Sequence, residues 1–215
     1  MTVVPHITHP LVHEYLENVR PPSDPILREM EDLAKTRSFP AFGAQCSRVL
    51  YALVRMLDAR RVFELGSGFG YTMYWMASAM TEGGLVVGTE GDEKNAEQAR
   101  EFFTRGRLDG RTDIRVGDAL TIFEKERGPF DLIFCDIEKH QYIEAFDMAA
   151  PRLRKGGVFV ADNLLYDGHV AEPDNHETKT ENLRAFTRHI YSHPSFFTFI
   201  IPMRDGVSVS VKIGE

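Results

Sequence analysis

The chain has 215 residues and a formal net charge of −7, from 25 Lys and Arg against 32 Asp and Glu. This balance argues against a protein that holds nucleic acid by broad neutralisation of phosphates. The length and the 43% hydrophobic content suit one globular domain over residues 1–215, and no apolar run approaches the length of a membrane span. Two cysteines, Cys46 and Cys135, provide no disulfide framework, and the N-terminus lacks a signal-peptide pattern, so we expect a cytoplasmic protein.

Residues 1–42 are interpreted as a helical extension that precedes a core fold over residues 43–215. Apolar periodicity predicts helices over 11–19 and 26–36, and Asp24 followed by Pro25 is typical of a helix start. The first helix has an apolar face formed by Leu11, Val12, Tyr15 and Leu16. Such a face needs a partner surface, either the chain's own domain or a second subunit. We predict a homodimer.

From residue 43 onward, helices and strands alternate. After a helix over 43–57, the pattern predicts strands over 61–66, 84–90, 112–117, 130–136 and 156–162, separated by helices over 70–81, 93–108, 118–127 and 139–153. A loop over 163–175 leads to a helix near 177–192. Two final strands, 196–202 and 206–213, are joined by a tight turn and predict an antiparallel hairpin. The predicted fold class is therefore α/β, a doubly wound, Rossmann-like, seven-stranded and mostly parallel sheet with a C-terminal antiparallel hairpin.

A glycine-rich turn follows the first strand of the core. The run Glu64-Leu65-Gly66-Ser67-Gly68-Phe69-Gly70 places three glycines between a buried strand and a helix start, the usual floor of a nucleotide-type pocket. Glu90 ends the next strand, where a carboxylate can hold two ribose hydroxyls. The spacing E-x-G-x-G-x-G differs from the dinucleotide fingerprint G-x-G-x-x-G. An NAD-binding domain with an irregular fingerprint is the alternative interpretation.

Polar side chains also end two later strands of the predicted sheet. Asp136 ends the strand over 130–136, and Asp162 and Asn163 stand at the end of the next strand. Because neighbouring parallel strands end at the same edge of a sheet, we expect these three side chains to converge. Three oxygen donors suit a hard cation, Mg²⁺ first, with Ca²⁺ or Mn²⁺ as alternatives. The contrasting interpretation is that the acids only cap the following helix and loop.

Lys139 follows Asp136 by three residues and is predicted in the first turn of the next helix. A cation at a helix N-terminus opposes the helix dipole, so helix propensity does not explain this lysine. A lysine beside a divalent cation loses its proton more readily, which fits a general base. A plain surface lysine is the alternative.

These motifs resemble those of the class I S-adenosylmethionine-dependent methyltransferases. The resemblance becomes closer to the cation-dependent O-methyltransferases, a group that includes the catechol and caffeoyl-coenzyme A enzymes and small bacterial relatives. It rests on the glycine turn, on Asp136-Ile137-Glu138-Lys139-His140-Gln141-Tyr142 and on Asp162-Asn163-Leu164-Leu165-Tyr166-Asp167-Gly168-His169-Val170, and it runs from about Gly43 to Lys212. It implies Asp136, Asp162 and Asn163 as metal ligands and Lys139 as the catalytic base. Around S-adenosylmethionine it implies Glu64, Gly66, Ser67, Gly68, Tyr71, Thr72, Glu90, Asp118, Ala119 and Asp136.

The activity implied by this resemblance is methyl transfer from S-adenosylmethionine to a hydroxyl of a small catechol-like acceptor held by the cation. A tRNA methyltransferase acting on a modified-uridine hydroxyl is the alternative enzyme, which the negative charge disfavours. A cofactor-binding module without catalysis is disfavoured because the metal and base positions are all filled. The family often has a Gln-Gly-Gln run where this chain has Phe42-Gly43-Ala44-Gln45. That segment helps to close over cofactor and substrate, so the identity of the acceptor stays open.

Overall fold

The structure is a computed structural model that describes residues 7–21 and 23–214. The chain divides into two compact units, one of residues 19–126 and one of residues 1–18 with 127–215. Residues 1–6, 22 and 215 belong to the predicted domain of 1–215 but lie outside the described residues. The predicted division into an extension of 1–42 and a core of 43–215 stays a prediction.

In the described part of residues 19–126, three parallel strands are connected by helices. The strands are β1 (Arg61–Leu65), β2 (Leu85–Glu90) and β3 (Thr112–Val116), in the order β3-β2-β1. The helices are α2 (Pro25–Arg37), α3 (Ala44–Met56), α4 (Tyr71–Ala79), α5 (Glu93–Arg105) and α6 (Ala119–Glu124). Four of the five residues of β1 are buried, as expected of a strand in a parallel sheet that is covered on both faces.

The other unit contains helix α1 (Pro10–Val19), except for its last residue, and the C-terminal part of the chain. Its strands are β4 (Phe130–Cys135), β5 (Leu153–Ala161), β6 (Phe196–Ile201) and β7 (Val207–Lys212), in the order β4-β5-β7-β6. Strands β4 and β5 are parallel, whereas β7 is antiparallel to both β5 and β6. Helices α7 (Tyr142–Ala149) and α8 (Thr178–Ser192) complete it. The buried ring of Phe146 lies 5.2 Å from that of Phe159 and 5.0 Å from that of Phe196, between centroids.

The seven strands of the described residues have the order β3-β2-β1-β4-β5-β7-β6. The predicted seven-stranded, mostly parallel sheet with an antiparallel C-terminal hairpin is therefore confirmed. Within residues 7–21 and 23–214, every helix is too short or too polar to span a bilayer.

The segment predicted as a helix over 139–153 is α-helical only in its central part. Lys139–Gln141 is a 3-10 turn, α7 covers only 142–149, and Ala150–Arg152 is a second 3-10 turn. Pro151 accounts for the end of α7, because proline cannot donate the backbone hydrogen bond that would continue it. Strand β5 begins at Leu153 and not at 156, because Leu153 already pairs with Phe130 before a register shift. The loop predicted over 163–175 contains a kinked 3-10 segment, Tyr166–Ala171.

The apolar face of α1 is exposed in the structure. No residue of this helix is buried, and the exposed fractions are 68% for Leu11 and 64% for Tyr15.

We propose that a second copy of the chain covers this face, because removing such side chains from water favours association. Light scattering at micromolar concentration should return a mass near twice the 24.4 kDa of one chain. A mass near 24.4 kDa would contradict the homodimer.

Candidate functional site

The glycine turn between β1 and α4 is anchored to the neighbouring strand. The backbone N–H of Gly66 donates to Oγ1 of Thr89 at 3.1 Å, and that of Ser67 donates to the carbonyl of Thr89 at 2.8 Å. Because Thr89 lies in β2, the turn is held at the C-terminal end of two parallel strands. This is the edge where ligands bind in open α/β sheets.

Two of the predicted cofactor residues contact one another inside this turn. Glu64 is fully buried at the end of β1, and its Oε1 accepts a hydrogen bond from Oγ1 of Thr72 in the first turn of α4. Ser67 is also buried, and its Oγ has no hydrogen-bond partner among the described residues. A buried hydroxyl without a partner is costly, which is consistent with a ligand that supplies the missing hydrogen bond.

Phe39 covers the middle of the turn. Gly68 has a φ of +52°, and a Cβ added there would lie 2.7 Å from the Phe39 ring. The same ring packs edge-on against Phe69, with centroids 5.0 Å apart. The position therefore requires glycine both for its backbone angle and for the close approach of Phe39. Sequence reasoning identified the nearby segment 42–45 but not Phe39.

Tyr71, implied as a cofactor residue, directs its hydroxyl elsewhere. The hydroxyl donates to Oε1 of Glu31 in α2 at 2.9 Å, and Glu31 also accepts from Ser23 and Arg20. Burial is the main reason why the pKa of Tyr71 lies above its usual range. The structure thus uses this side chain to attach α2 to the start of α4.

Glu90, Asp118 and Ala119 stand where β2 and β3 end. Oε1 of Glu90 accepts from the backbone N–H of Asp92 at 2.9 Å, and the Glu90 carbonyl accepts from Gly117 at 2.9 Å. Asp118 caps α6, which begins at Ala119, and hydrogen bonds from Thr121 lower the pKa of this aspartate. The backbone hydrogen bond from Gly117 to Glu90 therefore brings these two strand ends together. Residues 64, 66–68, 72, 90, 118 and 119 are called the glycine-turn cluster below.

A second group of side chains lies at the ends of β4 and β5 and is called the oxygen cluster. Its members are Asp136, Lys139, Tyr142, Asp162, Asn163 and Asp205. The ammonium of Lys139 is at its centre and donates to Oδ1 of Asp136 at 3.1 Å, to Oδ1 of Asn163 at 2.5 Å and to the hydroxyl of Tyr142 at 2.7 Å. Three acceptors use all three N–H bonds of an ammonium group.

The pairing of β4 with β5 explains this convergence. Cys135 and Ala161 are opposite one another in the parallel register, so the residues that follow them leave the sheet side by side. Five of the six residues of β4 and the last five residues of β5 are buried, and Cys135 is fully buried. The polar residues therefore begin where the buried strands end.

Asp162 is the most deeply buried acid of the oxygen cluster. Its Oδ1 accepts from the backbone N–H of Asn163 at 2.7 Å, and its exposed fraction is 7%. Burial and then the negative charge of Asp136 raise the pKa of Asp162 to about 7, and Lys139 opposes this shift. The cluster therefore carries more negative charge than its single ammonium neutralises, which favours a bound cation.

The donor atoms of the cluster fit a hard divalent cation. Asp136, Asp162 and Asn163 offer carboxylate and amide oxygens, the ligands that Mg²⁺, Mn²⁺ and Ca²⁺ prefer. Within residues 7–21 and 23–214, no group of three or more His, Cys, Asp and Glu side chains is arranged to hold a metal. The predicted set has two carboxylates, and its third donor is the amide oxygen of Asn163.

Two members of the oxygen cluster were not predicted from the sequence. Tyr142 donates to the backbone carbonyl of Asp162 at 3.2 Å, and burial followed by the charge of Asp136 keeps its pKa well above the usual range. Its position three residues after Lys139 is a usable sequence signal. Asp205 accepts from Nδ2 of Asn163 at 3.0 Å, across 42 residues of sequence, and no local pattern indicates this contact.

The family model described as O-methyltransferase matches residues 23–213 of this chain. The chain belongs to the O-methyltransferase family. A catechol O-methyltransferase of Niastella koreensis is 30% identical over 199 residues, which cover 87% of this chain and 90% of that protein. A catechol O-methyltransferase of Mycobacterium tuberculosis is 33% identical over 170 residues, which cover 77% of each protein.

Solved structures of other O-methyltransferases agree with this assignment to the family. An O-methyltransferase from Bacillus cereus in complex with SAH is 28% identical and superimposes with a TM-score of 0.84, covering 94% of this chain and 97% of that one. The O-methyltransferase TomG from Streptomyces achromogenes in complex with SAM is 26% identical, with a TM-score of 0.85 and coverages of 95% and 96%. The predicted family, Rossmann-like fold class and enzyme type are confirmed. The roles of individual residues stay predictions.

The raised pKa of Asp162 predicts a pH dependence of stability in the absence of divalent cations. Its folded-state value of about 7 lies above the ordinary value of 3.8, so its contribution to stability is complete below the unfolded value and is lost as the pH rises through about 7. We expect the free energy of unfolding of the wild-type chain, measured in chelator, to fall as the pH rises from 3.8 to about 7. In the Asp162→Asn variant, the free energy of unfolding should fall by roughly 2–4 kcal/mol less over the same range, because the amide does not titrate.

Asp174→Asn is the matched control, because Asp174 is exposed and removing its charge leaves the oxygen cluster intact. This variant should keep the wild-type profile. Parallel profiles for the wild type and Asp162→Asn would show that Asp162 does not titrate in this range.

Proposed function

We propose that this O-methyltransferase transfers the methyl group of S-adenosylmethionine to a hydroxyl of a small catechol-like acceptor, a vicinal dihydroxy aromatic, with the help of a divalent cation. The observation that carries the proposal is the oxygen cluster, in which Asp136 and Asn163 present oxygens to one ammonium group. The relatives named catechol O-methyltransferase support this acceptor class.

The glycine-turn cluster is the proposed binding site for the methyl donor. Its support is the buried Oγ of Ser67, which has no partner among the described residues, and the carboxylates of Glu64 and Glu90 at two strand ends. Relatives solved in complex with SAH and SAM support the same ligand class. Glu90 would accept from the two ribose hydroxyls. Tyr71 has no proposed side-chain role, because its hydroxyl donates to Glu31.

Asp136, Asp162 and Asn163 are the proposed cation ligands, with Mg²⁺ first and Mn²⁺ or Ca²⁺ as alternatives. When bound, a cation of this kind lowers the pKa of an acceptor hydroxyl and fixes its orientation. Carboxylate and amide oxygens of the cluster fit it, and the pKa of Asp162 is raised first by burial and then by the negative charge of Asp136.

Lys139 is the proposed general base. As a neutral amine, Nζ accepts the hydroxyl proton, the acceptor oxygen bonds to the methyl carbon, and the bond from methyl to sulfur breaks to leave a thioether. Tyr142 keeps Nζ in place, because its hydroxyl accepts from Lys139 and donates to the carbonyl of Asp162. Holding reacting groups in position contributes up to roughly 7–11 kcal/mol in well-oriented intramolecular reactions.

The proposal predicts cation-dependent methyl transfer from labelled S-adenosylmethionine to caffeate-type catechols. Activity should vanish in EDTA and return with Mg²⁺ or Mn²⁺, and Asp162→Ala should abolish that recovery. Bulk tRNA is assayed in parallel, since a modified-uridine hydroxyl is the alternative acceptor. Methylation of tRNA without methylation of catechols would contradict the catechol-like acceptor and favour the tRNA alternative. Full activity in chelator would contradict the role of the cation.

Calorimetry and pH profiles separate the roles within this experiment. Glu90→Ala should weaken S-adenosylmethionine binding, because each hydrogen bond to a charged group contributes about 1.5–3 kcal/mol, while Asp162→Ala should leave it nearly unchanged. Lys139→Ala should still bind Mn²⁺ but lose rate, and the loss should shrink as rising pH ionises the acceptor without a base. Unchanged cofactor affinity in Glu90→Ala would refute the ribose assignment.

A further inference from the structure

Asp205, in the turn between β6 and β7, is attached to the segment that follows β5. Its Oδ2 accepts from Nδ2 of Asn163 at 3.0 Å, and its Oδ1 accepts from the backbone N–H of Asp167. Its backbone carbonyl accepts from the N–H of Leu165 at 2.8 Å. One residue of the hairpin turn thus binds three residues of the segment that carries Asn163.

The two charged neighbours of Asn163 determine how its amide is oriented. Lys139 can only donate hydrogen bonds, so the amide atom facing it at 2.5 Å is the oxygen. An ionised Asp205 can only accept, so the atom facing it is the NH₂ group. Only the amide oxygen can bind a cation. The contact with Asp205 therefore keeps the amide oxygen of Asn163 directed into the oxygen cluster.

The position of Asp205 is itself fixed by close packing. Gly206 has a φ of +84°, and a Cβ added there would lie 2.5 Å from Cγ of Leu165. The N–H of Leu164 donates to the carbonyl of Gly206 at 2.9 Å. The turn therefore has little freedom to move away from Asn163.

We propose that Asp205 is a positioning residue for the cation site, which acts by orienting the amide of Asn163. This inference rests on the proposed function, because it assigns Asn163 as a cation ligand. Residues that orient a metal ligand through a hydrogen bond typically change metal affinity about 10- to 100-fold when they are removed.

Two simpler explanations for Asp205 make different predictions. If only its negative charge mattered, Asp205→Asn and Asp205→Ala would weaken cation binding equally. If Asp205 only held the loop through Asp167, its removal would act independently of Asn163. An orienting role predicts that Asp205→Asn retains most of the affinity, because the amide keeps an acceptor oxygen for Nδ2 of Asn163.

The experiment measures Mn²⁺ affinity of the full chain by calorimetry, without acceptor. We expect Asp205→Ala to bind Mn²⁺ about 10-fold or more weakly. The Mn²⁺ affinity of Asp205→Asn should stay within a few-fold of that of the wild type. The Mn²⁺ affinity of the exposed control, Asp174→Ala, should equal that of the wild type. In the Asn163→Ala background, adding Asp205→Ala should cause no further loss, since contacting residues that act through one another are not additive.

Each outcome bears on a distinct part of the proposal. Equal losses in Asp205→Ala and Asp205→Asn, or additive losses with Asn163→Ala, would overturn the orienting role, as would unchanged affinity in Asp205→Ala. Circular dichroism and S-adenosylmethionine affinity identify a variant that fails to fold. If Asp205→Ala does so, Asp205→Asn decides the question, because a loss of 10-fold or more in Mn²⁺ affinity would overturn the orienting role and affinity within a few-fold of the wild type would support it. If the wild-type chain binds no Mn²⁺, the cation site of the proposed function fails, and the role of Asp205 fails with it.

Discussion

The parallel pairing of β4 with β5 is the constraint on which the oxygen cluster depends. Because Cys135 lies opposite Ala161, the two strands end at the same level and deliver Asp136 beside Asp162 and Asn163. Burial first, and then the negative charge of Asp136, raise the pKa of Asp162. The ammonium of Lys139 offsets part of that negative charge by contacting oxygens from both strand ends. An arrangement of this kind is unfavourable for stability alone and is consistent with a cation-binding role.

The glycine-turn cluster follows the same principle in the other unit. Buried parallel strands end in Glu64 and Glu90, and the backbone of the turn is tied to Thr89 by two hydrogen bonds. The buried Oγ of Ser67 lacks a partner among the described residues, as a polar group reserved for a ligand would. Phe39 covers Gly68, in the middle of the glycine turn.

Local sequence patterns predicted the parts of the structure that are determined by residues close together in the sequence. Alternation of helices and strands predicted the sheet, and apolar runs that end in an acid predicted the positions of Asp136 and Asp162. The patterns were less successful where a distant contact decides the outcome. Tyr71 occupies a motif position, yet its hydroxyl is bound by Glu31, 40 residues earlier. Asp205 reaches Asn163 through the C-terminal hairpin, and Pro151 divides a segment whose apolar periodicity suggests one helix.

The most direct test of this account is a crystal structure of the protein grown with Mn²⁺ and measured at the manganese absorption edge. The account predicts an anomalous peak about 2.0–2.6 Å from oxygens of Asp136, Asp162 and Asn163. It also predicts that the amide of Asn163 still donates to Asp205. A manganese peak elsewhere on the protein, with Lys139 still donating to Asp136 and Asn163, would contradict it.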